Sequence, residues 1–225
     1  TRSDAPDRAK PMPIALKDLE HAIQKKALVY DKSGEEHYNI ISALHKSLRG
    51  SNPDAAAYWL MRMIEAGEDP MYLGRRMVRF ASEDIGNADP NALNVALNAV
   101  EAFRFLGHPE GDLALLQAAV YLATAPKSNS LYRAIKSVKR VINETGTQPV
   151  PYHIRNAPTK LMKNLGYGKN YKYAHNYENA IVSQEYLPDK LRGYKFYEPT
   201  DRGYERTIKR LLETWQKQKE SGKDV

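Results

Sequence analysis

The chain has 225 residues, with 34 lysine and arginine residues against 27 acidic ones, a formal net charge of +7. This length is enough for one domain with a hydrophobic core, or for a domain with a small appendage. The sequence contains no cysteine, which excludes disulfide frameworks, iron–sulfur clusters, thiolate zinc sites and cysteine nucleophiles. Its longest apolar stretch, residues 113–125, is shorter than the roughly 20 residues of a membrane-spanning helix. Because residues 1–13 carry charge and proline but no apolar segment of a signal peptide, we expect an intracellular protein.

The excess positive charge is confined to the C-terminal part of the chain. Residues 1–125 contain 14 basic and 17 acidic residues, whereas residues 126–225 contain 20 and 10. Between residues 127 and 175, ten basic residues accompany a single acid, Glu144. Such a stretch attracts polyanions, and nucleic acid is the first candidate. A solvated basic face, or a docking patch for an acidic protein, accounts for the charge equally well.

The apolar residues in the first half of the chain repeat at helical intervals. A first helix is predicted from about residue 16 to residue 29. Ser33 and Glu36 have the spacing of a capping box, which predicts a second helix that ends at Gly50.

Proline marks the start of the following helices. At three of these starts the proline is preceded by Asn or Asp, residues suited to the N-cap position, and glycines at 67, 86 and 107 lie where the helices should end. Because the turns between these helices are very short, we expect successive helices to pack as antiparallel neighbours in one bundle. The predicted starts are Asn52-Pro53, Asp69-Pro70, Asp89-Pro90 and His108-Pro109-Glu110.

A further helix, from about residue 128 to residue 143, is predicted to be half-buried with a basic outer face. On a helical wheel Arg133, Lys136 and Arg140 lie opposite the apolar side chains, with Lys139 on the flank. The predicted buried side consists of Leu131, Ala134, Ile135, Val138, Val141 and Ile142.

Regular structure is interrupted after Gly146 by several prolines, and the segment that follows is rich in tyrosine and lysine. A short helix is predicted over residues 159–165, and a short hairpin is allowed near residues 180–187 and 194–197. We expect amphipathic rings to pack this loop-rich segment. A last helix is predicted over residues 200–219, with an apolar stripe of Tyr204, Ile208, Leu211, Leu212 and Trp215.

No catalytic constellation is legible in the sequence. The segment 166–169 (GYGK) is the nearest approach to a phosphate-binding loop, but its glycine spacing is wrong and Asn170 replaces the required hydroxyl. The six histidines show no metal-binding spacing, so we predict no metal site. Glu83 and Asp84 fall near a helix C-terminus, where acids oppose the helix dipole, which favours a structural or partner role. We therefore expect no catalytic activity from this chain alone.

Binding remains as the function that the residues favour. Basic side chains interleaved with tyrosines neutralise phosphates and stack on unpaired bases, although tyrosines of this kind also serve as loop packing. The candidate DNA-binding residues are Lys127, Arg133, Lys136, Lys139, Arg140, Arg155, Lys160, Lys163, Lys169, Tyr171, Lys172 and Tyr173.

Several long strings of residues give the chain a specific resemblance. They include EHYNIISALHKSLRGSNPDAAAYWL, RRMVRFASEDIGNADP, ATAPKSNS, PVPYHIRNAPTKLMKNLGYGKNYKYAH and YEPTDRGYE. Over about residues 14–210 the chain resembles the C-terminal region of the replication-associated recombination protein A family, relatives of the Werner helicase-interacting protein. This is a family of clamp-loader-type AAA+ ATPases.

The resemblance implies an all-α fold, a helical bundle similar to the clamp-loader collar, with a loop-rich Tyr/Lys extension and a C-terminal helix. Residues 1–33 would be a linker and the last part of the AAA+ helical lid, and residues 34–220 the oligomerisation and DNA-associated domain. The family's ATP and magnesium sites would lie upstream of Thr1, so no cofactor is expected here. The strings SEDIGNADP and APKSNS match without an assigned chemical role and are interpreted as helix junctions.

The same resemblance implies a homotetramer that acts on single-stranded or forked DNA at stalled replication forks, with single-strand-binding protein as a further partner and a cytoplasmic, nucleoid-associated location. Apolar side chains such as Trp59, Met61, Met63, Met71 and Met77 are candidates for the surface that assembles the subunits. Two alternatives stay open, a stand-alone nucleic-acid-binding module and a scaffold that binds only proteins.

Overall fold

The structure, a computed structural model, describes residues 16–17 and 34–220. Every regular element in these residues is helical and none is a strand, which confirms the predicted all-α class. The first predicted helix, residues 16–29, lies outside the described residues apart from a helical pair at 16–17. None of the helices described is both long and apolar enough to cross a membrane.

The α-helices of the described residues follow the predicted order along the chain. A single π-helical turn, Ala81–Ile85, extends the third helix. The helices are α1 (Glu35–Arg49), α2 (Pro53–Glu65), α3 (Pro70–Phe80), α4 (Ala92–Leu106), α5 (Asp112–Thr124), α6 (Ser130–Thr145), α7 (Lys160–Asn164) and α8 (Glu205–Glu220).

Two of the proline-marked starts are formed as predicted. The Asn52 side chain accepts a hydrogen bond of 2.9 Å from the Ala55 N–H at the start of α2, and Asp69 accepts one of 2.9 Å from the Met71 N–H at the start of α3. Each bond satisfies a backbone donor that the first helical turn leaves without a partner.

Other predicted starts are displaced by a few residues. Helix α4 begins at Ala92 and not at Pro90, because Asp89 accepts hydrogen bonds from the Asn91 N–H and from the Tyr121 hydroxyl, at 3.1 and 2.6 Å, and so forms a turn ahead of the helix. Helix α5 likewise begins only at Asp112, after Gly111. Helix α1 begins at Glu35 with Gly34 in the N-cap position, and Ser33 of the predicted capping box lies outside the described residues.

The core is built around α5. This helix packs against each of the four preceding helices, α1 to α4. It buries a broad apolar face that includes Leu115, Ala118 and Leu122, as expected for a helix with neighbours on several sides. The largest fully buried apolar side chains are Leu44, Leu48, Leu60, Met63, Leu73, Met77, Phe80, Ile85, Leu115, Leu122 and Val141.

We expected methionines and Trp59 to supply the assembly surface. That expectation is wrong for those of them that pack in the core. Met63 and Met77 are fully buried, and Trp59 and Met61 pack against the same core. The apolar side chains that this part of the chain exposes belong mainly to α4 and α5. They are Leu93, Leu97, Phe105, Leu106, Leu113 and Val120.

The segment between α6 and α8 contains α7 and several single 3-10 turns. The hairpin considered for residues 180–187 and 194–197 does not form, since neither stretch contains a strand. The tyrosines of this segment are packed less fully than expected, because Tyr152, Tyr173 and Tyr194 are about half exposed. Helix α8 begins at Glu205, later than predicted, and its apolar stripe is also partly exposed. That exposed stripe comprises Leu211, Leu212 and Trp215.

Candidate nucleic-acid interface

Helix α6 presents a basic face to solvent. Arg133, Lys136 and Arg140 are exposed and lie on one side of the helix, because residues three and four apart are neighbours on a helical surface. The Lys136 ammonium lies 4.5 Å from the centre of the Tyr132 ring, and Arg140 makes a 3.5 Å ion pair with Glu144, the acid one turn further on. This face can meet a line of phosphates with three cationic groups.

The opposite side of α6 is less buried than the helical wheel predicted. Val141 is buried, and Leu131, Ala134 and Val138 are half-buried, but Ile135 and Ile142 are each 56% exposed. Only the Val141 side of the helix therefore packs closely onto the bundle, and two isoleucines remain available for contact with another surface.

Lys127 does not belong to the outward-facing basic surface. Its ammonium donates hydrogen bonds of 2.8 and 2.5 Å to the carbonyl oxygens of Ala123 and Ala125, at the C-terminal end of α5. A cation at this position satisfies carbonyls that the last helical turn leaves unpaired. Burial lowers the pKa of Lys127, and the nearby Asp84 carboxylate opposes that shift. We assign Lys127 to the stabilisation of this helix end.

Arg155 is held in place by aromatic rings. Its guanidinium lies 4.2 Å from the centre of the Tyr152 ring and 5.0 Å from that of Tyr167, and its Nε donates a 2.7 Å hydrogen bond to the Val150 carbonyl. The two rings meet edge to face at 5.4 Å. Arginine stacks on aromatic faces while keeping its charge, so this cation is fixed near the surface.

Two adjacent clefts gather several of the predicted residues. The first, of about 540 Å³, is lined by Lys169 and Lys172 together with Tyr152 and Gln184. The second, of about 530 Å³, is lined by Arg155, Tyr171, Tyr186 and Asn156. His153 lines both clefts, and its Nε2 lies 2.7 Å from the Glu185 carbonyl oxygen.

The remaining predicted residues lie near these clefts in sequence but line neither of them. Lys160 and Lys163 are exposed on α7, whose start is capped by the Thr159 hydroxyl, and the Tyr173 ring packs against His175 at 5.1 Å. Gln184, Asn156 and Tyr186 were missed by sequence reasoning. Only the abundance of tyrosine in this segment pointed towards them.

A buried carboxylate joins the basic helix to the end of the chain. Glu205, the first residue of α8, is fully buried. It accepts hydrogen bonds from the Ser128 hydroxyl at 2.6 Å, from the Ser130 hydroxyl, and from the N–H and hydroxyl of Thr200, both at 2.8 Å. The Tyr197 hydroxyl donates a further bond of 3.1 Å. Burial raises the pKa of Glu205, but the hydrogen bonds from the two serines and from Thr200 outweigh burial and hold the pKa below its ordinary value.

The strings SEDIGNADP, APKSNS and YEPTDRGYE meet around this carboxylate, and we call residues 82–90, 125–130 and 197–205 together the Glu205 junction. The Ser128 N–H donates to the Asp84 carbonyl at 2.8 Å, and the Tyr204 N–H donates to the Ala88 carbonyl at 2.7 Å. Gly203 is required at this approach, since a Cβ atom there would lie 2.0 Å from the Ala88 carbonyl oxygen. The structure thus shows the two strings without a chemical role at a junction between helices.

The acids of the SEDIGNADP string are paired with arginines. Arg49 donates to both carboxylate oxygens of Asp84, at 2.6 and 3.0 Å, and Arg79 donates to Glu83 at 2.7 Å. The Asp84 side chain is nearly buried, so its pairing with Arg49 ties the end of α1 to the π-helical turn. Their arrangement fits the predicted structural role.

The described part of the chain holds no group of three or more histidine, aspartate or glutamate side chains placed to bind a metal ion. His37 pairs with Glu68 at 2.8 Å, and His108 pairs with Asp112 at 2.7 Å. His45 accepts a 3.1 Å hydrogen bond from Arg76. These three imidazoles take part in local packing and pairing.

Comparison with known proteins gives two matches that together cover most of the chain. The family described as MgsA AAA+ ATPase C terminal matches residues 50–216, and the family described as AAA C-terminal domain matches residues 2–49.

Among curated proteins, the chain is 53% identical over 195 residues to Replication-associated recombination protein A of Coxiella burnetii, which covers 86% of this chain and 44% of that protein. It is 51% identical over 180 residues to the protein of the same name from Escherichia coli K12, covering 80% and 40%. It is 48% identical over 186 residues to ATPase WRNIP1 of Dictyostelium discoideum, covering 82% and 21%.

The chain spans less than half the length of each of these relatives. The match to the C-terminal family covers well over half of the chain. The matched residues, 50–216, include most of the helices and all three strings that meet at the Glu205 junction. These findings confirm the resemblance predicted from the sequence: the chain belongs to the MgsA AAA+ ATPase C-terminal family.

Proposed function

We propose that this chain is the C-terminal assembly and DNA-associated domain of an AAA+ ATPase that acts in DNA replication, repair and recombination at stalled forks. Membership of the C-terminal family carries the proposal, because relatives about half identical to the chain are named replication-associated recombination proteins. The exposed basic face of α6 supports a DNA contact, and the exposed apolar side chains of α4 and α5 support assembly.

In this proposal ATP and magnesium bind to a module that precedes these residues in a longer, DNA-dependent ATPase, which works in the cytoplasm on the nucleoid. The chain itself would then hydrolyse no ATP. Phosphate release from ATP, measured for the chain and for the full-length protein with and without single-stranded DNA, tests this. ATP hydrolysis by the chain alone would contradict the assignment of the ATP site to the preceding module.

Assembly into a homotetramer is supported by apolar side chains that a monomer leaves in water. Leu113 on α5 is 71% exposed, and Leu97 on the neighbouring α4 is 44% exposed. Several such side chains on adjacent helices are typical of an interface between subunits. Subunits joined in this way would bring the preceding ATPase modules close to one another.

Light scattering tests the assembly. We expect a mass about four times the 25.5 kDa of one chain at micromolar concentration. Leu113→Asp should reduce the mass towards that of the monomer, because it places a charge in an apolar interface. Leu161→Asp is the matched control, since Leu161 is 68% exposed but lies on α7. A wild-type monomer would contradict the assembly role.

Titration of forked and single-stranded DNA at several salt concentrations tests the DNA contact. Each phosphate that the protein neutralises contributes a slope of about −0.9 in log K against log salt for duplex DNA. Reversal of Arg133, Lys136 and Arg140 to Glu should abolish binding and with it that salt dependence. Reversal of Arg210, Lys217 and Lys219 on α8, which are also exposed, is the charge-matched control.

The same measurements separate the alternatives. DNA binding by a protein that light scattering shows to be monomeric would favour a stand-alone nucleic-acid-binding module. Absence of DNA binding, with capture of single-strand-binding protein that survives nuclease treatment, would favour a protein scaffold and overturn the proposed DNA contact.

A further inference from the structure

We propose that the two clefts beside His153 form one binding site for single-stranded DNA, in which a base stacks on Tyr171 and Tyr186 while the adjoining phosphate is bound by Lys169 and Gln184. This inference rests on the proposed DNA contact and deepens it. It assigns the contact to unpaired nucleotides and to particular side chains beyond the face of α6.

The first cleft, which we call the phosphate cleft, contains a hydrogen-bond donor without a partner. The Gln184 Nε2 is buried and makes no hydrogen bond, whereas the Oε1 of the same side chain accepts a 2.8 Å bond from the Lys172 N–H. The backbone donor identifies the amide oxygen as the paired atom, so the group left without a partner is the Nε2 donor. A buried N–H without a partner is costly, so a small shift of this side chain that lets an anion in the cleft reach the Nε2 group would be favourable.

The charged groups around the phosphate cleft favour an anion. Lys169 is exposed at its rim, and the Lys172 ammonium lies 5.9 Å from the centre of the Tyr177 ring. One acid, Glu185, also lines the cleft. Its Oε1 accepts 2.9 Å hydrogen bonds from the Tyr186 and Leu187 N–H groups, so this carboxylate oxygen is already paired with the backbone. The Lys169 ammonium and the unpaired amide therefore favour an anion in this cleft, where the single carboxylate already accepts two backbone hydrogen bonds.

The second cleft, which we call the stacking cleft, has aromatic walls and no acidic residue among those that line it. Tyr171 and Tyr186 each have 47% of their surface exposed, enough to offer a ring to a ligand. Arg155, held between Tyr152 and Tyr167, adds a fixed cation at the same wall. Nucleobases stack on such rings whatever their identity, because every base has a flat π face.

The two clefts are placed to act on neighbouring parts of one nucleotide. His153 lines both clefts, and the consecutive residues 169–172 contribute Lys169, Asn170 and Lys172 to the phosphate cleft but Tyr171 to the stacking cleft. Bases in a duplex are paired and stacked within the helix, so they do not reach these rings. The site is therefore expected to prefer unpaired DNA.

Fluorescence anisotropy with the 225-residue chain tests the stacking cleft. The probes are a labelled oligothymidylate of about 20 nucleotides and a blunt duplex of the same length. We expect Tyr171→Leu to weaken binding of the oligothymidylate about tenfold and binding of the duplex less than twofold. Tyr171→Phe keeps the ring and should bind as the wild type does. Tyr194→Leu is the matched control, because Tyr194 is 46% exposed and lines neither cleft.

Gln184→Glu tests the phosphate cleft. It preserves the acceptor for the Lys172 N–H and replaces the unpaired donor with a negative charge, so oligothymidylate binding should fall on the order of tenfold. Lys169→Gln should reduce the salt slope of single-strand binding by about 0.7, the contribution of one phosphate.

Each outcome separates this site from the broader proposal. If the wild-type chain binds neither probe, the proposed DNA contact and this site both fail. If it binds the oligothymidylate and Tyr171→Leu and Gln184→Glu bind as tightly as the wild type, the site is wrong while the DNA contact stands. A polyglutamate peptide is the competitor. If it displaces the oligothymidylate at equal concentration, and if the same variants reduce the affinity for the peptide as much as the affinity for the oligothymidylate, the clefts bind acidic peptides and the site is wrong.

Discussion

The bundle of α1 to α5 and the extension over residues 146–204 are held together by different interactions. In the bundle, α5 alone buries Leu115, Leu122 and several alanines against four neighbouring helices. Over residues 146–204 the buried apolar side chains of the described part are Val182 and Leu191. The bundle thus obtains its stability from apolar burial. The extension depends on hydrogen bonds, on aromatic contacts and on its attachment at the Glu205 junction.

The largest expected effect is on the bundle. Phe80 is fully buried in its core, so Phe80→Ala should reduce the free energy of unfolding by about 3–5 kcal/mol. Urea denaturation followed by the fluorescence of Trp59, which packs against the same core, measures this. Tyr194→Ala in the extension should cost less than about 1 kcal/mol. Equal losses for the two variants would show that the extension is packed as tightly as the bundle.

A smaller effect is expected at the Glu205 junction. Glu205→Ala removes the acceptor for Ser128, Ser130 and Thr200, so buried donors would be left without partners. We expect the free energy that holds the extension to the bundle to fall by about 3 kcal/mol. The loss should fall on the attachment of the extension, so limited proteolysis should cut residues 146–204 faster while the Trp59 transition changes little. The exposed Glu213→Ala on the same helix is the control. An intact proteolysis pattern would mean that other contacts hold the extension.

The two regions should also respond to acid over different pH ranges. Burial, reinforced by the Arg76 and Arg49 charges, lowers the pKa of His45 to about 4 from an ordinary 6.5. The unfolded chain therefore binds more protons than the folded chain between these values, and the bundle should lose on the order of 2 kcal/mol as the pH falls from 6.5 towards 4. Because the pKa of Glu205 is below its ordinary 4.5, the junction should lose stability only below that pH.

Substitution of His45 by glutamine separates the two pH ranges. Glutamine keeps an acceptor for the Arg76 guanidinium but does not titrate. Urea denaturation of His45→Gln at pH 7 and pH 5 should give nearly equal stabilities, whereas the wild type should be less stable at pH 5. A wild-type bundle equally stable at both values would show that His45 is protonated without cost.

The sequence predicted the bundle better than the extension, and the difference has a physical cause. Helix starts at Asn52 and Asp69 are local, because the capping side chain bonds to a backbone group within three residues. The exposure of Ile135 depends on which elements pack against α6, and no local pattern contains that information. Gln184 lies twelve residues after Lys172, from whose N–H it accepts a hydrogen bond, and the chain between them is irregular. The place of Gln184 in the phosphate cleft therefore depends on a fold that helical periodicity does not predict.

The smallest expected effect concerns the basic face of α6. Arg133, Lys136 and Arg140 are exposed, and the contacts of Lys136 with Tyr132 and of Arg140 with Glu144 lie within the same helix. Their joint replacement by glutamine should therefore change the free energy of unfolding by less than about 0.5 kcal/mol per site, while DNA binding falls and its salt slope flattens. Thermal unfolding measured beside the DNA titration checks both. A large loss of stability would make these cations part of the fold and would remove the contrast between a stabilising bundle and a surface kept for binding.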